Sequence, residues 1–272
     1  LPPERRGGLT LGQAFAAYGQ MLRQPAAVGL LLAGGLSFAA MFAYITASPD
    51  FFIGQQGWSP SAYALVFAAN ALGIFTANFI NSRLAHRLGA ATLAGVGCLA
   101  GLLAALVMNV ALLGAAPAMG WVVGALAVAV SVTGLLGANC VGLLMQRFAQ
   151  ASGAAAALFG ASQFGLGMLA SAAVSALHDG SGRPMGWVML ACLAGSAAGF
   201  VGFWRNAYVS LASIFVITLA LFVIGSTMLL DQLLGASLAQ LQAKVDINVY
   251  FVTTAPQEEI DALINSVKAL PD

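Results

Sequence analysis

The sequence predicts an all-α polytopic membrane protein, and three observations lead there. Of the 272 residues, 60% are hydrophobic and only 7% are charged, whereas a soluble domain carries roughly a quarter charged residues. The mean hydropathy is +0.91. The apolar residues gather into seven runs, each close to the ~20 residues a spanning helix needs. Period-two alternation is absent from these runs, which excludes a closed barrel. A net charge of +1 with no basic run offers nothing that could track a phosphate backbone, so no nucleic-acid partner is expected.

Taken in order, residues 1–24 read as a loop. The predicted spans are 25–47, 60–81, 89–112, 118–145, 154–177, 185–203 and 208–230. Breaks are expected at Pro49, Pro60, Pro117 and Pro184, and at the charged turn 81–88. Gly97 with Gly101, Gly120 with Gly124 and Gly195 with Gly199 stand at the spacing where small residues let helices approach in lipid. Gly95 with Gly97 and Gly165 with Gly167 lie in wholly apolar surroundings with no preceding strand, so they are not phosphate loops. Cys98, Cys140 and Cys192 sit inside apolar runs as packing residues, and no disulfide or metal pattern can be built from them.

The bias of Lys and Arg in short loops sets the orientation. With residues 1–24 cytoplasmic, that side holds Arg5, Arg6, Arg23, Arg83, Arg87, Arg147 and Arg205, and the other holds Arg183, Lys244 and Lys268. Of the acids only Glu4 then lies inside, while Asp50, Asp179, Asp231, Asp246, Glu258, Glu259, Asp261 and Asp272 lie outside. One orientation satisfies both signs, with 231–272 extracytoplasmic.

Polar side chains inside the first six spans are few. Asn70, Asn139 and Gln163 lie deep in their helices, Asn78 and Asn109 nearby, with Tyr44 and Thr46 near the outer end of the first span. An amide in hydrocarbon needs a partner or a wet cavity; the sequence leaves open whether these line a cavity or join helices. No carboxylate falls mid-span, so no proton-carrying acid is expected here. No nucleophile–His–acid set is present, and His86 and His178 fall at opposite ends, so neither an enzyme nor a cofactor is predicted.

Four stretches, "GGLSFAAMFAYITASPDFF", "FAANALGIFTANFINSRLAHRLG", "NCVGLLMQRFAQASGAAAALFGASQFGLGML" and "GRPMGWVM", carry a family resemblance. Residues 1–203 resemble the C-terminal half of a Bcr/CflA-type multidrug efflux transporter of the major facilitator superfamily. The opening "LPPERR" is similar to the central cytoplasmic loop of such proteins. The resemblance implies one six-helix half of a two-bundle antiporter that exports drugs such as bicyclomycin or chloramphenicol against protons. It also implies that Asn81, Arg83, Arg87 and Gly89 form a cytoplasmic gating loop, although Arg83 and Arg87 fit equally well as positive-inside anchors. Asp50 departs from the pattern, since the family has a hydrophobic residue there. A substrate site of this kind lies between two halves near the midplane, so the chain by itself is expected to be inactive.

After Trp204 the texture changes, with only Gly225 and Gly235 among the 32 glycines. In 231–245 the apolar positions follow helical spacing; 246–254 alternates as a strand; 256–270 makes one apolar helix face through Ile260, Leu263, Ile264 and Val267. This helix–strand–helix order predicts the start of an α/β extracytoplasmic domain, too short to hold a core by itself. "FWRNAYVSLASIFVITLALFVIGSTMLL" and the residues after it resemble the first membrane helix and outer domain of the cell-division protein FtsX. That resemblance implies a non-catalytic relay between the FtsE ATPase and cell-wall hydrolases or their activators. Residues 203–206 then read as a joint, and with no Met at Leu1 and a segment broken off at Asp272, both ends read as cut. A chimera of two truncated genes, a natural fusion and a single unfamiliar protein all remain open on the sequence.

Overall fold

Prolines open three of the helices, where a missing N–H costs nothing and the fixed φ suits the first turn. In a computed structural model, which describes residues 11–113 and 117–205 together with 257, 258, 261, 262 and 265, Pro25 and Pro60 stand at the first position of α2 and α3, and Pro184 at the second of α7. The order is α1 (Leu11–Arg23), α2 (Pro25–Pro49), α3 (Pro60–Leu88), α4 (Ala90–Ala111), α5 (Met119–Arg147), α6 (Ser152–Ala176) and α7 (Arg183–Arg205). A π-helical turn, Asp50–Gln55, prolongs α2, and a 3-10 turn, Ala149–Ala151, precedes α6. Among the described residues every element is helical, and six helices are long and apolar enough to cross a membrane. This is a multi-pass membrane bundle.

Helix α2 forms its axis, packing against α5, α6 and α7. Within the apolar window of α2, 61% of residues are buried; in α3 only 6% are. Two buried clusters fill the interior. One gathers Tyr44, Phe51, Phe52, Met108, Leu126 and Met189; the other gathers Met21, Leu30, Leu136, Leu144, Phe159 and Phe200 toward the opposite end. Polar ties at the helix ends fix the up-and-down alternation. Arg147 Nε donates to Gln24 Oε1 at 3.1 Å, joining the end of α5 to the start of α2. At the other end the Arg183 guanidinium donates to the Leu113 carbonyl at 3.2 Å, joining the start of α7 to the exit of α4.

Four expectations are corrected. Residues 11–23 are not loop but helix α1, which seats Met21 in the second cluster with Ala17 and Tyr18 against it. Its Ala- and Gly-rich composition hides so narrow an apolar face. Pro49 does not break the first span. Lacking an N–H, it shifts the ladder to wider spacing instead, and Gln56 N–H reaches back to the Phe51 carbonyl at 3.1 Å. The segment 81–88 is not a turn; α3 runs through it to Leu88, so His86 is helical as well. Gly89 alone separates α3 from α4, at φ 81°, a left-handed conformation that favours glycine. Finally, a Cβ added at Gly120 or Gly124 would meet nothing within 4 Å, so these are not packing glycines.

The other two glycine pairs pack as expected. Gly97 faces Leu135 and Leu136, Gly101 faces Val132 and Leu193, and Gly195 faces Leu36. At Gly29 the neighbour is backbone: a Cβ there would sit 2.5 Å from the Gly199 carbonyl oxygen, so the α2 and α7 backbones touch. Cys98, Cys140 and Cys192 are free and buried.

The chain divides into two units, Leu1–Met228 and Leu229–Asp272. In the second, Gln257, Glu258, Asp261, Ala262 and Asn265 are helical and exposed, the polar side of the helix expected at 256–270. Of the expected joint at 203–206, residues 203–205 continue helix α7; residue 206, the expected span at 208–230, the helix at 231–245, the strand at 246–254 and the start of the chain lie outside the described residues.

Candidate functional site

Only two residues of α3 are buried, and both are asparagines: Asn70 and Asn81. The spacing 70–74–78–81 follows one helical face, so one stripe meets the bundle. In its first half Asn70 Nδ2 donates to Tyr44 Oη of α2 at 2.9 Å, with both side chains at 2% exposure or less. The Tyr44 ring stacks on Phe67 with centroids 6.1 Å apart. Nearer the start of α3, Ser48 Oγ and Tyr63 Oη share a hydrogen bond of 2.9 Å. Toward the end of α3, Asn139 Nδ2 of α5 donates to Asn81 Oδ1 at 2.7 Å and to its own helix at the Leu135 carbonyl, 2.9 Å.

Between these ends α3 and α5 meet through small residues. Gly73 lies against the Ser131 hydroxyl, and Gly134 against the Asn78 amide, which donates to the Ile74 carbonyl. Asn109 holds α4 to α7 in the same manner, donating to Ala105 O at 2.8 Å and Gly186 O at 2.9 Å. Deeper in the bundle Thr133 Oγ1 lies 3.5 Å from Ser37 Oγ and donates to the Ser37 carbonyl at 3.4 Å.

The structure therefore brings Tyr44 and Asn70 together in one pair and Asn81 and Asn139 in another. Asn70 and Asn139 thus each make an inter-helix hydrogen bond. Gln163 belongs to neither pair. It stands half-buried on α6 with Nε2 3.6 Å from the point where a Cβ on Gly137 would lie, and it makes no hydrogen bond to any described residue. Beside it Phe164 packs edge-on against Phe38 at 5.3 Å and Phe42 at 6.2 Å.

Of the four residues expected in a gating loop, Asn81, Arg83 and Arg87 stand on helix α3, and Gly89 is the link to α4. Asn81 is a buried rung of the seam. Arg83 is exposed, its guanidinium 5.0 Å above the Phe79 ring, and Arg87 lies exposed in the last turn of α3, where a cation opposes the helix dipole. Sequence reasoning missed Asn81 as the partner of Asn139, and missed Ser37, Thr133, Ser48 and Tyr63. Hydroxyls are common in membrane helices and carry no partner signal. Among the described residues no three His, Cys, Asp or Glu side chains converge as a metal centre requires.

No family model matches the chain, and no solved structure does. Two curated proteins are similar to it. The bicyclomycin resistance protein homolog of Haemophilus influenzae is 26% identical over 173 residues, covering 63% of this chain and 43% of that protein. The uncharacterized MFS-type transporter YdgK of Bacillus subtilis is 24% identical over 206 residues, covering 76% of this chain and 51% of its own length. The chain thus spans about half the length of the curated relatives it matches. Nothing in these comparisons favours the likeness of 203–272 to FtsX. What they support, with the six apolar helices, is a membrane protein similar to transporters of the major facilitator type.

Proposed function

We propose that residues 25–203 act as the C-terminal half of a Bcr/CflA-type efflux transporter in the bacterial cytoplasmic membrane, exporting small drug-like molecules by proton antiport together with a second six-helix half. Residues 1–24 are then cytoplasmic. Distant likeness to a bicyclomycin resistance homolog and to an MFS-type transporter supports this reading. The observation that carries it is the seam of α3. A spanning helix almost wholly exposed on its other faces is attached through Asn70 and Asn81, with Asn78 packed on Gly134 between them and no carboxylate at that depth.

On this reading Tyr44, Asn70, Asn139 and Gln163 border the substrate path. The α3–α4 corner, with Asn81, Arg83, Arg87 and Gly89, controls its cytoplasmic end. Paired amides hold two helices without charge, so they can be exchanged for contacts with a neutral polar solute at little electrostatic cost. The proton-carrying acid belongs to the other half.

The test is a resistance assay in a drug-sensitive strain. Residues 1–203 expressed alone give no bicyclomycin or chloramphenicol resistance. Joined behind the first six helices of the Haemophilus influenzae relative they give resistance, which Gln163→Ala lowers while the protein level in the membrane stays constant. Resistance from 1–203 alone, or a joined protein present at normal level that confers none, would overturn the reading.

A further inference from the structure

At the end of the bundle opposite Gln24, the π-helical extension of α2 and the exit of α6 enclose a pocket of about 220 Å³. Its floor is apolar and fully packed: Phe51 and Met185 are 1% exposed and Val174 is 3% exposed. Its rim is polar, carrying Asp50, Gln55 and His178. Because Pro49 lets α2 continue as a wider turn, Asp50 and Gln55 fall on one side, and Gln55 Nε2 donates to Asp50 Oδ2 at 2.7 Å. The second carboxylate oxygen, Oδ1, receives no hydrogen bond from any described residue. His178 Nδ1 lies 3.9 Å from Oδ2 across the pocket mouth.

The opposite wall is pinned. Asp179 Oδ1 accepts from the Ser181 backbone N–H at 2.8 Å and from its hydroxyl at 2.7 Å, and Arg183 is drawn away to the Leu113 carbonyl. The two other charged groups of this loop are thus engaged elsewhere, and Asp50 is the only carboxylate on the rim. A carboxylate with an oxygen that accepts no hydrogen bond, on the rim of a pocket with an apolar floor, suits a cation with a short apolar body. The ammonium meets Asp50 while the body displaces water from Phe51, Val174 and Met185.

We propose that this pocket binds small monoamines, their ammonium group on Asp50 and their apolar part on the floor between α2 and α6. The site is separate from the α3 seam and does not depend on the transporter reading.

The probe is benzylammonium, titrated against the full chain in lipid nanodiscs by ligand-observed NMR at pH 7.5. Asp50→Asn weakens binding about three- to fivefold, the range open to a half-exposed ion pair. His178→Lys, which sets a permanent ammonium beside Asp50, weakens it to a similar degree. Asp179→Asn removes the same charge from the same end but keeps the turn, since Asn makes it equally well, and leaves the affinity unchanged. No saturable binding, or equal weakening by Asp50→Asn and Asp179→Asn, would overturn the proposal, the latter by reducing it to surface charge. Thermal unfolding of each variant establishes that it is folded. His178→Lys keeps the test decisive if Asp50→Asn is not.

Discussion

Helices α2 and α3 are both long, apolar and spanning, yet they are held in the bundle by opposite means. Against α7, α2 uses the absence of side chains. Gly29 and Gly199 let the backbones touch, and the Ser196 hydroxyl adds a hydrogen bond to the Ala33 carbonyl at 2.6 Å. Such a seam rests on close dispersion contact along a continuous surface, the attraction left when both solvent and interior are apolar. Against α2 and α5, α3 uses amides: Asn70 to Tyr44 and Asn81 from Asn139, with Gly73 and Gly134 between. Each rung has a discrete partner and can exchange it. The glycine seam sets backbone against backbone, whereas the amide seam rests on single side-chain rungs.

Breaking the glycine seam gives the largest effect. Gly29→Leu forces a side chain against the Gly199 carbonyl, a backbone atom that cannot turn aside, and destabilises the protein by about 1–3 kcal/mol or prevents its insertion. The buried thiols of Cys98, Cys140 and Cys192 react with a maleimide dye only on unfolding, and so report the loss in a thermal scan. The Asn81–Asn139 rung comes next. Asn139→Ala leaves the buried Asn81 carbonyl without its donor and costs about 1 kcal/mol by the same assay. A double-mutant cycle with Asn81→Ala returns a coupling near 0.6 kcal/mol; additive effects would show that the pair does not interact.

Tyr44→Phe is milder. It removes the acceptor for Asn70 but keeps the ring on Phe67, and costs about 0.6 kcal/mol. Its consequence is in transport, where the joined protein described above should show an altered preference among exported drugs. The smallest change is Arg83→Gln. An exposed cation over Phe79 contributes about 0.5 kcal/mol, the low end for such a contact, so the melting curve barely moves. A large shift would mean that Arg83 holds more than that ring.

Most of the bundle was legible in the sequence because lipid permits so few alternatives. The bounds of α4, 89–112 expected and Ala90–Ala111 found, follow from an apolar run punctuated by glycine and a turn. Where reading failed, one signal was given a meaning it has only in context. The charges at Arg83 and Arg87 suggested a stop, but at a membrane surface a helix continues through them, and the stop is Gly89. Pro49 suggested a break, but a proline beside a π-helical turn redirects the ladder instead. For the site, Asn70 and Asn139 stood out because an amide inside a span demands a partner. The partner itself was not legible. Asn139 and Asn81 are 58 positions apart, and no local pattern encodes which helix faces bring them together.

The most direct test of the two-seam account is a pair of spin-label distance measurements in nanodiscs. Labels at Ser82→Cys and Gln146→Cys, both exposed near the same end, report α3 against α5; labels at Ala26→Cys and Val201→Cys report α2 against α7. The buried native thiols stay unlabelled. Introducing Asn139→Ala should broaden the first distance distribution and leave the second unchanged. Unchanged widths in both pairs, or equal broadening in both, would contradict an amide-held α3 beside a glycine-held α2.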